Sequence, residues 1–213
     1  MATTPGQGSR AAASRSTRAR IRDEARKLFV SYGIEAVTYG DIAGRVGTTR
    51  ANVHYHYGNK AALVKAVFDD TFERVDAVLR EIWTTPGLTL DQRLERALED
   101  ARTRFHEFND DVGGRRPWSL SGRARLENQQ VDKAVIDGIV TMSRQFEAYV
   151  SQAIEEAREA GELRADAPVR EIMLLITPLW YYGSPITQFS GMTKLEEHYA
   201  ATRNAIANAY GAR

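Results

Sequence analysis

A chain of 213 residues with 43% hydrophobic residues can furnish one sizeable domain, or a small domain attached to a larger one. It has no cysteine, which excludes a disulfide framework, a thiolate nucleophile and a zinc finger, and makes the cytoplasm the natural compartment. The net charge of +1 conceals an asymmetry: residues 1–63 carry ten Lys and Arg against four Asp and Glu, whereas residues 64–213 carry nineteen against twenty-four. A basic front of this kind is the electrostatic footprint of a nucleic-acid partner. The N-terminus lacks the apolar core of a signal peptide. The longest apolar run, 172–182, is interrupted by Thr177 and Pro178 and is too short to span a bilayer, so no membrane partner is expected.

Taken in chain order, residues 1–15 are rich in Ala, Ser, Thr and Gly and read as a disordered basic arm. With Arg10, Arg15, Arg18 and Arg20, such an arm either reaches a minor groove or stays solvated. From Ser16 or Thr17, the spacing of Ile21, Ala25, Leu28, Phe29 and Tyr32 predicts a helix that Gly33 closes. Thr38 is an N-cap candidate with Asp41 at the capping-box position, and Ile42 and Val46 give the apolar face of a two-turn helix ended by Gly47. Thr49 then caps a second helix from about Arg50 to Tyr55. Two helices joined by a short glycine-containing turn match the helix-turn-helix signature. Val53 and Tyr57 should face inward with Ile42 and Val46, leaving Arg50, Ala51, Asn52, His54 and Tyr55 at or near the other face. Gly58 breaks this helix and Asn59 caps the next. Its stripe of Leu63, Val67, Thr71, Val75, Val78 and Ile82 runs to the Thr85-Pro86-Gly87 stop.

Leu90, Leu94, Ala97, Ala101, Phe105 and Phe108 mark a further amphipathic helix, followed by a loop over 109–116 and a short helix opened by Pro117. A long apolar pattern runs from about Val131 to Ala160, where Gly161 ends it. Pro168 begins a helix that is apolar nearly all round, in which Pro178 frees the carbonyl of Leu174. A helix of that composition must be buried all round. One or both of these helices therefore needs a partner beyond its own core, with Val140, Ile154, Ile176 and Tyr182 as candidate interface residues of a homodimer. Thr193 to Tyr210 reads as a last, more polar helix. With no strand pattern and no repeat, the fold class is all-α.

Catalytic constellations are absent from the sequence. His54 and His56 are two apart and share no helix face; His106 and Asp110 are four apart but do not complete HExxH; there is no GxSxG and no phosphate-cradling glycine loop. Neither an enzyme, a metal site nor a cofactor is expected.

The ordered set Ile21, Ala25, Leu28, Phe29, Gly33, Thr38, Ile42, Ala43, Gly47, the His54-Tyr55-His56-Tyr57 segment, Lys60 and Leu63 resembles the TetR family of transcriptional regulators. It departs from the commoner pattern at Val46, Thr48 and His54, the last where the family often has a Tyr. The resemblance implies a helix-turn-helix DNA-binding domain at 16–63 after the arm at 1–15. A linking helix then leads into a helical ligand-binding and dimerisation domain at 64–213. It further implies a repressor that binds a pseudo-palindromic operator in double-stranded DNA as a homodimer and is released by a small-molecule effector. Two heads on adjacent major grooves must be held about 34–36 Å apart, which a two-fold dimer achieves. Arg50 has the fork that matches guanine O6 and N7, with Ala51 and Tyr55 as further base contacts. Thr38, Tyr39, Asn52, His54 and Lys60 suit phosphate contacts. Phe105, Phe108, Trp118, Met142, Phe146, Trp180 and Tyr181 are candidates to line a pocket for an apolar or aromatic effector, and they equally suit a packed core. The alternative is a helical ligand-binding or interaction protein with a vestigial DNA-binding head.

Overall fold

A computed structural model describes residues 7–111, 113–127 and 131–212. Among them the chain is all-α: α1 (Gln7–Tyr32), α2 (Tyr39–Val46), α3 (Arg50–Tyr57), α4 (Lys60–Thr84), α5 (Leu90–His106), α6 (Leu120–Leu126), α7 (Lys133–Glu159), α8 (Val169–Ser190) and α9 (Met192–Tyr210). No described helix is long and apolar enough to cross a membrane. The described residues divide into two compact units, one from the N-terminus to Thr71 with Arg123–Ile136, the other Phe72–Gly122 with Asp137 onward. The division falls inside α4, later than the boundary at 63 expected from sequence.

Helix α1 corrects one expectation. The backbone is helical from Gln7, so residues 7–15, expected as a disordered arm, continue the helix; residues 1–6 lie outside the described part. Nucleation is the costly step of helix formation, and here the packed turns around Ile21 supply it. Ala11, Ala12 and Ala13, the best helix formers, then propagate it backward. The side chains of Arg10 and Arg15 lie outside the described residues.

The first unit is built around Ile21, Ala25, Phe29, Ile42, Val53 and Leu63, all buried. Gly33 ends α1 at φ 93°, with its N–H donating to Phe29 O at 3.0 Å. Beside it, Arg123 donates to the carbonyls of Val30 and Ser31, and the Glu127 carboxylate accepts the Ile34 N–H at 2.8 Å. These two side chains satisfy backbone groups that the end of α1 leaves without helical partners. Glu127 also crowds Gly33, where a Cβ would lie 2.7 Å from its Oε1.

In the second unit Trp83, Phe105, Phe146, Leu94, Ile154 and Leu195 are buried. Arg93 is buried too, although it lies on an otherwise amphipathic helix. Its guanidinium donates to the carbonyls of Thr85 and Leu88 and to Glu156, closing the turn between α4 and α5. Pro117 does not open α6, contrary to expectation. The Trp118 N–H is taken by Ser184 Oγ at 3.1 Å, and Ser119 Oγ accepts from the Gly122 N–H, so the helix starts at Leu120 with Ser119 as its cap. Helix α8 carries both Pro178 and Pro185 and runs on to Gly191.

Two expected outcomes follow from these contacts. Glu127→Ala leaves the Ile34 N–H without its acceptor and should cost about 1–3 kcal/mol in urea unfolding, with a change under about 0.5 kcal/mol contradicting the assignment. The Asp41 carboxyl is held below its ordinary value of 3.8, first by the Thr38 hydroxyl hydrogen bond and then by the Thr38 backbone N–H. A carboxyl depressed in the folded state contributes stability above its unfolded value and loses it as pH falls through the folded one. Protection of the amides in the first turn of α2 should therefore persist down to about pH 4 and fade below it, and Asp41→Asn should remove that acid limb.

Candidate nucleic-acid interface and a cavity in the helical unit

The capping predicted from sequence is present at both helices of the motif. Thr38 Oγ1 accepts from the Asp41 N–H while the Asp41 carboxylate accepts from the Thr38 N–H at 2.8 Å, a closed capping box. Gly47 adopts φ 72° and ψ 43°, and its N–H and that of Thr48 both reach Ala43 O. Thr49 then caps α3 through the Asn52 N–H at 3.1 Å. This corner turns α3 so that Val53 and Tyr57 are buried with Ile42 and Val46.

Two further groups lock the corner. The Tyr57 hydroxyl donates to Arg18 O at 2.7 Å, and burial pushes this phenol up from its ordinary pKa. Arg20 donates to Val46 O at 2.9 Å, at the C-terminal end of α2 where a cation is favoured. Arg18 lies 5.1 Å from the centroid of the Tyr57 ring. Both arginines, expected in the basic arm, are thus held against the motif itself.

The opposite face of α3 is open. Ala51, His54 and Tyr55 are exposed, Tyr55 to 80%, as is Arg50 at the start of the helix, and Asn52 is half-buried with its amide donating to Thr48 Oγ1 at 2.8 Å. A Thr at position 48 therefore has a use: it fixes the Asn52 side chain. Thr38 is exposed. The Lys60 ammonium donates to Glu35 O at 2.7 Å and keeps further donors, since an ammonium has three. Tyr39 is the expected contact that the structure places differently. Its ring meets His54 edge-on at 6.4 Å, and its hydroxyl is covered with no hydrogen-bond partner, so a phosphate can reach it only after that cover shifts. His54 is thus the ring that packs on Tyr39, a role its position in the sequence did not reveal.

In the second unit a narrow cavity is lined by Leu79, Trp83, Leu94, Asp100, Phe146, Trp180 and Tyr199, with room for about one water molecule. Of the pocket residues expected from sequence, only Phe146 and Trp180 line it. Phe105, Phe108 and Met142 are packed in the core. Trp118 is also buried, with its indole N–H donating to Thr187 Oγ1 at 2.8 Å. Tyr181 packs against Phe146 and donates to Glu147 at 3.0 Å. Trp83 and Tyr199 escaped the sequence reading because each reads as an ordinary core residue. What distinguishes them is that the Trp83 indole N–H is buried without a partner, and that burial raises the Tyr199 phenol well above its usual range and keeps it neutral.

The interface candidates divide. Ile154 and Ile176 are almost fully buried within the chain and cannot face a second copy, a correction that burial alone dictates. Val140 and Tyr182 are exposed to 43% and 59%. Among the described residues no three His, Asp or Glu side chains group as metal ligands would.

Residues 21–67 match the family model of bacterial regulatory proteins, tetR family. The chain is 34% identical over 112 residues to the probable HTH-type transcriptional regulator ArpR of Pseudomonas putida, covering 45% of this chain and 53% of that one. It thus spans about half the length of that relative. With the HTH-type transcriptional regulator SrpR of Pseudomonas putida the identity is 27% over 179 residues, covering 81% of this chain and 78% of the other. The fold matches a TetR-family transcriptional regulator from Agrobacterium tumefaciens with a TM-score of 0.75 and 15% identity, over 93% of this chain and all of that one. It also matches a TetR transcriptional regulator from Chloroflexus aurantiacus, with a TM-score of 0.73 and 18% identity over 94% and 99% of the two chains. The sequence match falls on the motif whose corner, caps and open face are described above, and the fold match extends over the helical unit. Residues 21–67 are thus similar to the helix-turn-helix region of the tetR family of bacterial regulatory proteins, and the chain has the fold of TetR-family structures.

Proposed function

We propose that this protein is a transcriptional regulator, a repressor that binds a pseudo-palindromic operator as a homodimer and releases it when an effector binds. The observation that carries the reading is the open face of α3. Ala51 and Tyr55 project from the face of α3 opposite the buried Val53 and Tyr57, and Arg50 is exposed at its first position, in the basic part of the chain. Arg50 reads guanine, Ala51 and Tyr55 contact neighbouring base edges, and Thr38, Asn52, His54 and Lys60 hold phosphates. Tyr39 joins the phosphate contacts once its hydroxyl is uncovered.

Dimerisation is supported by α8. Leu174, Leu175, Pro178, Tyr182 and Phe189 are exposed, and at 100° per residue they fall within about 100° of one another, an apolar stripe about 22 Å long. Such a stripe on a surface helix marks an interaction face, and two copies related by a two-fold axis cover it with one patch. Val140 on α7 belongs to the same interface. The effector site is the cavity beside Trp83 and Tyr199, which must open to admit an apolar or aromatic ligand. Release requires that the ligand prefer one of two conformations, because equal affinity for both shifts nothing.

Gel shifts on DNA upstream of its own gene, titrated with salt, test the reading. Arg50→Ala should cost about 1–3 kcal/mol and relax preference at one position per half-site, while Lys60→Ala should weaken all sequences alike and flatten the salt dependence. Unchanged operator preference in Arg50→Ala would remove Arg50 from base reading. Leu175→Glu with Phe189→Glu should give a monomer in sedimentation and weaken operator binding roughly 100-fold through lost avidity; a persistent dimer would exclude the α8 stripe as the interface.

A further inference from the structure

Gly40 sits in the first turn of α2, where its backbone is not in the left-handed region and no turn requires a glycine. Glycine is among the poorest helix formers, so in an eight-residue helix its presence asks for another reason. The space above it supplies one. A Cβ built on Gly40 would lie 2.6 Å from Arg50 Nη2, 2.7 Å from Nε and 3.0 Å from Cζ. With Nε and Nη2 both nearer than Cζ, the guanidinium turns its Nε–Nη2 edge toward the bare Cα.

Little else holds Arg50 there. The nearby Asp41 carboxylate is already engaged by the Thr38 N–H at 2.8 Å and hydroxyl at 2.6 Å, and acts on Arg50 only through its charge. Arg50 is otherwise exposed, at the first position of α3. The side chain thus rests on α2 because position 40 is empty, with the Nη1 end of its guanidinium directed away from α2.

We propose that Gly40 is a specificity-determining residue of the DNA interface: by lacking a side chain it lets the Arg50 guanidinium lie back on α2 and so sets which base edge Arg50 reaches. This rests on the base-reading role of Arg50. A methyl group at position 40 pushes the guanidinium outward by about 1 Å, to ordinary van der Waals distance. That displacement is enough to spoil a two-point match with a guanine edge, while the phosphate contacts and their salt dependence stay as they are.

The test is unbiased selection of bound DNA by the full-length protein and by its Gly40→Ala, Arg50→Ala and doubly substituted forms. Gly40→Ala should change base preference, by about tenfold, only at the position per half-site that Arg50→Ala relaxes. The double substitution should then match Arg50→Ala alone. Alanine is the better helix former, and thermal unfolding of Gly40→Ala at or above the parent temperature confirms that the fold is intact. The proposal is overturned if Gly40→Ala leaves the preference unchanged, or changes it equally in the Arg50→Ala background, which would make position 40 a direct DNA contact. If Arg50→Ala itself leaves preference unchanged, the base-reading role falls first and the role of Gly40 falls with it.

Discussion

The corner at Gly47 is the constraint on which the DNA-facing surface depends. Its left-handed backbone, φ 72° and ψ 43°, would cost a residue bearing a Cβ about 1–2 kcal/mol. What the corner secures is larger: Val53 and Tyr57 are buried against Ile42 and Val46, each worth about 1.5–3 kcal/mol. The turn is therefore held by packing on both sides, and the outward direction of Arg50, Ala51 and Tyr55 is its geometric consequence. A corner set any other way would turn a different part of α3 outward.

Around this corner the first unit invests polar groups in its own backbone. Arg20 on Val46 O, Arg123 on the end of α1 and Glu127 on the Ile34 N–H each satisfy a carbonyl or amide at the end of a helix, while the Tyr57 hydroxyl bonds Arg18 O within α1. The helices they secure are short, eight residues each for α2 and α3, and too short to persist alone in water. Several positive charges that a sequence count assigns to DNA are thus engaged within the protein. The charge left over for phosphate is therefore smaller than the count implies.

The second unit follows another logic. Its helices bury a continuous aromatic cluster, Trp83, Phe146, Trp180 and Tyr181, with ring centroids 5.0–6.0 Å apart for the pairs that touch. Helix α8 gives one face to that cluster and turns the other, from Leu174 to Phe189, outward. The same helix therefore supplies a wall of the cavity and the apolar stripe proposed for dimerisation, so that packing changes on one face are carried by the element that forms the other.

Local order was written in the sequence. Thr38, Asp41, Gly47, Thr49, Gly58 and Asn59 announce their caps and turns because capping acts over three or four residues. The 3.6-residue period of Ile42, Val46, Val53 and Tyr57 tells which side of each helix is buried. The resemblance of the motif to the tetR family, the all-α class and the face of α3 that remains open were legible for that reason. Three things were not: that Ile154 and Ile176 spend themselves inside the chain while Tyr182 stays outside, that Trp83 and Tyr199 rather than Phe105 and Trp118 wall the cavity, and that Arg50 lies on Gly40. Each depends on which helix lies next to which, and residues such as Trp83 and Tyr199, or Gly40 and Arg50, are brought together by packing between helices. An apolar period states that a face must be buried; only the tertiary structure decides against what.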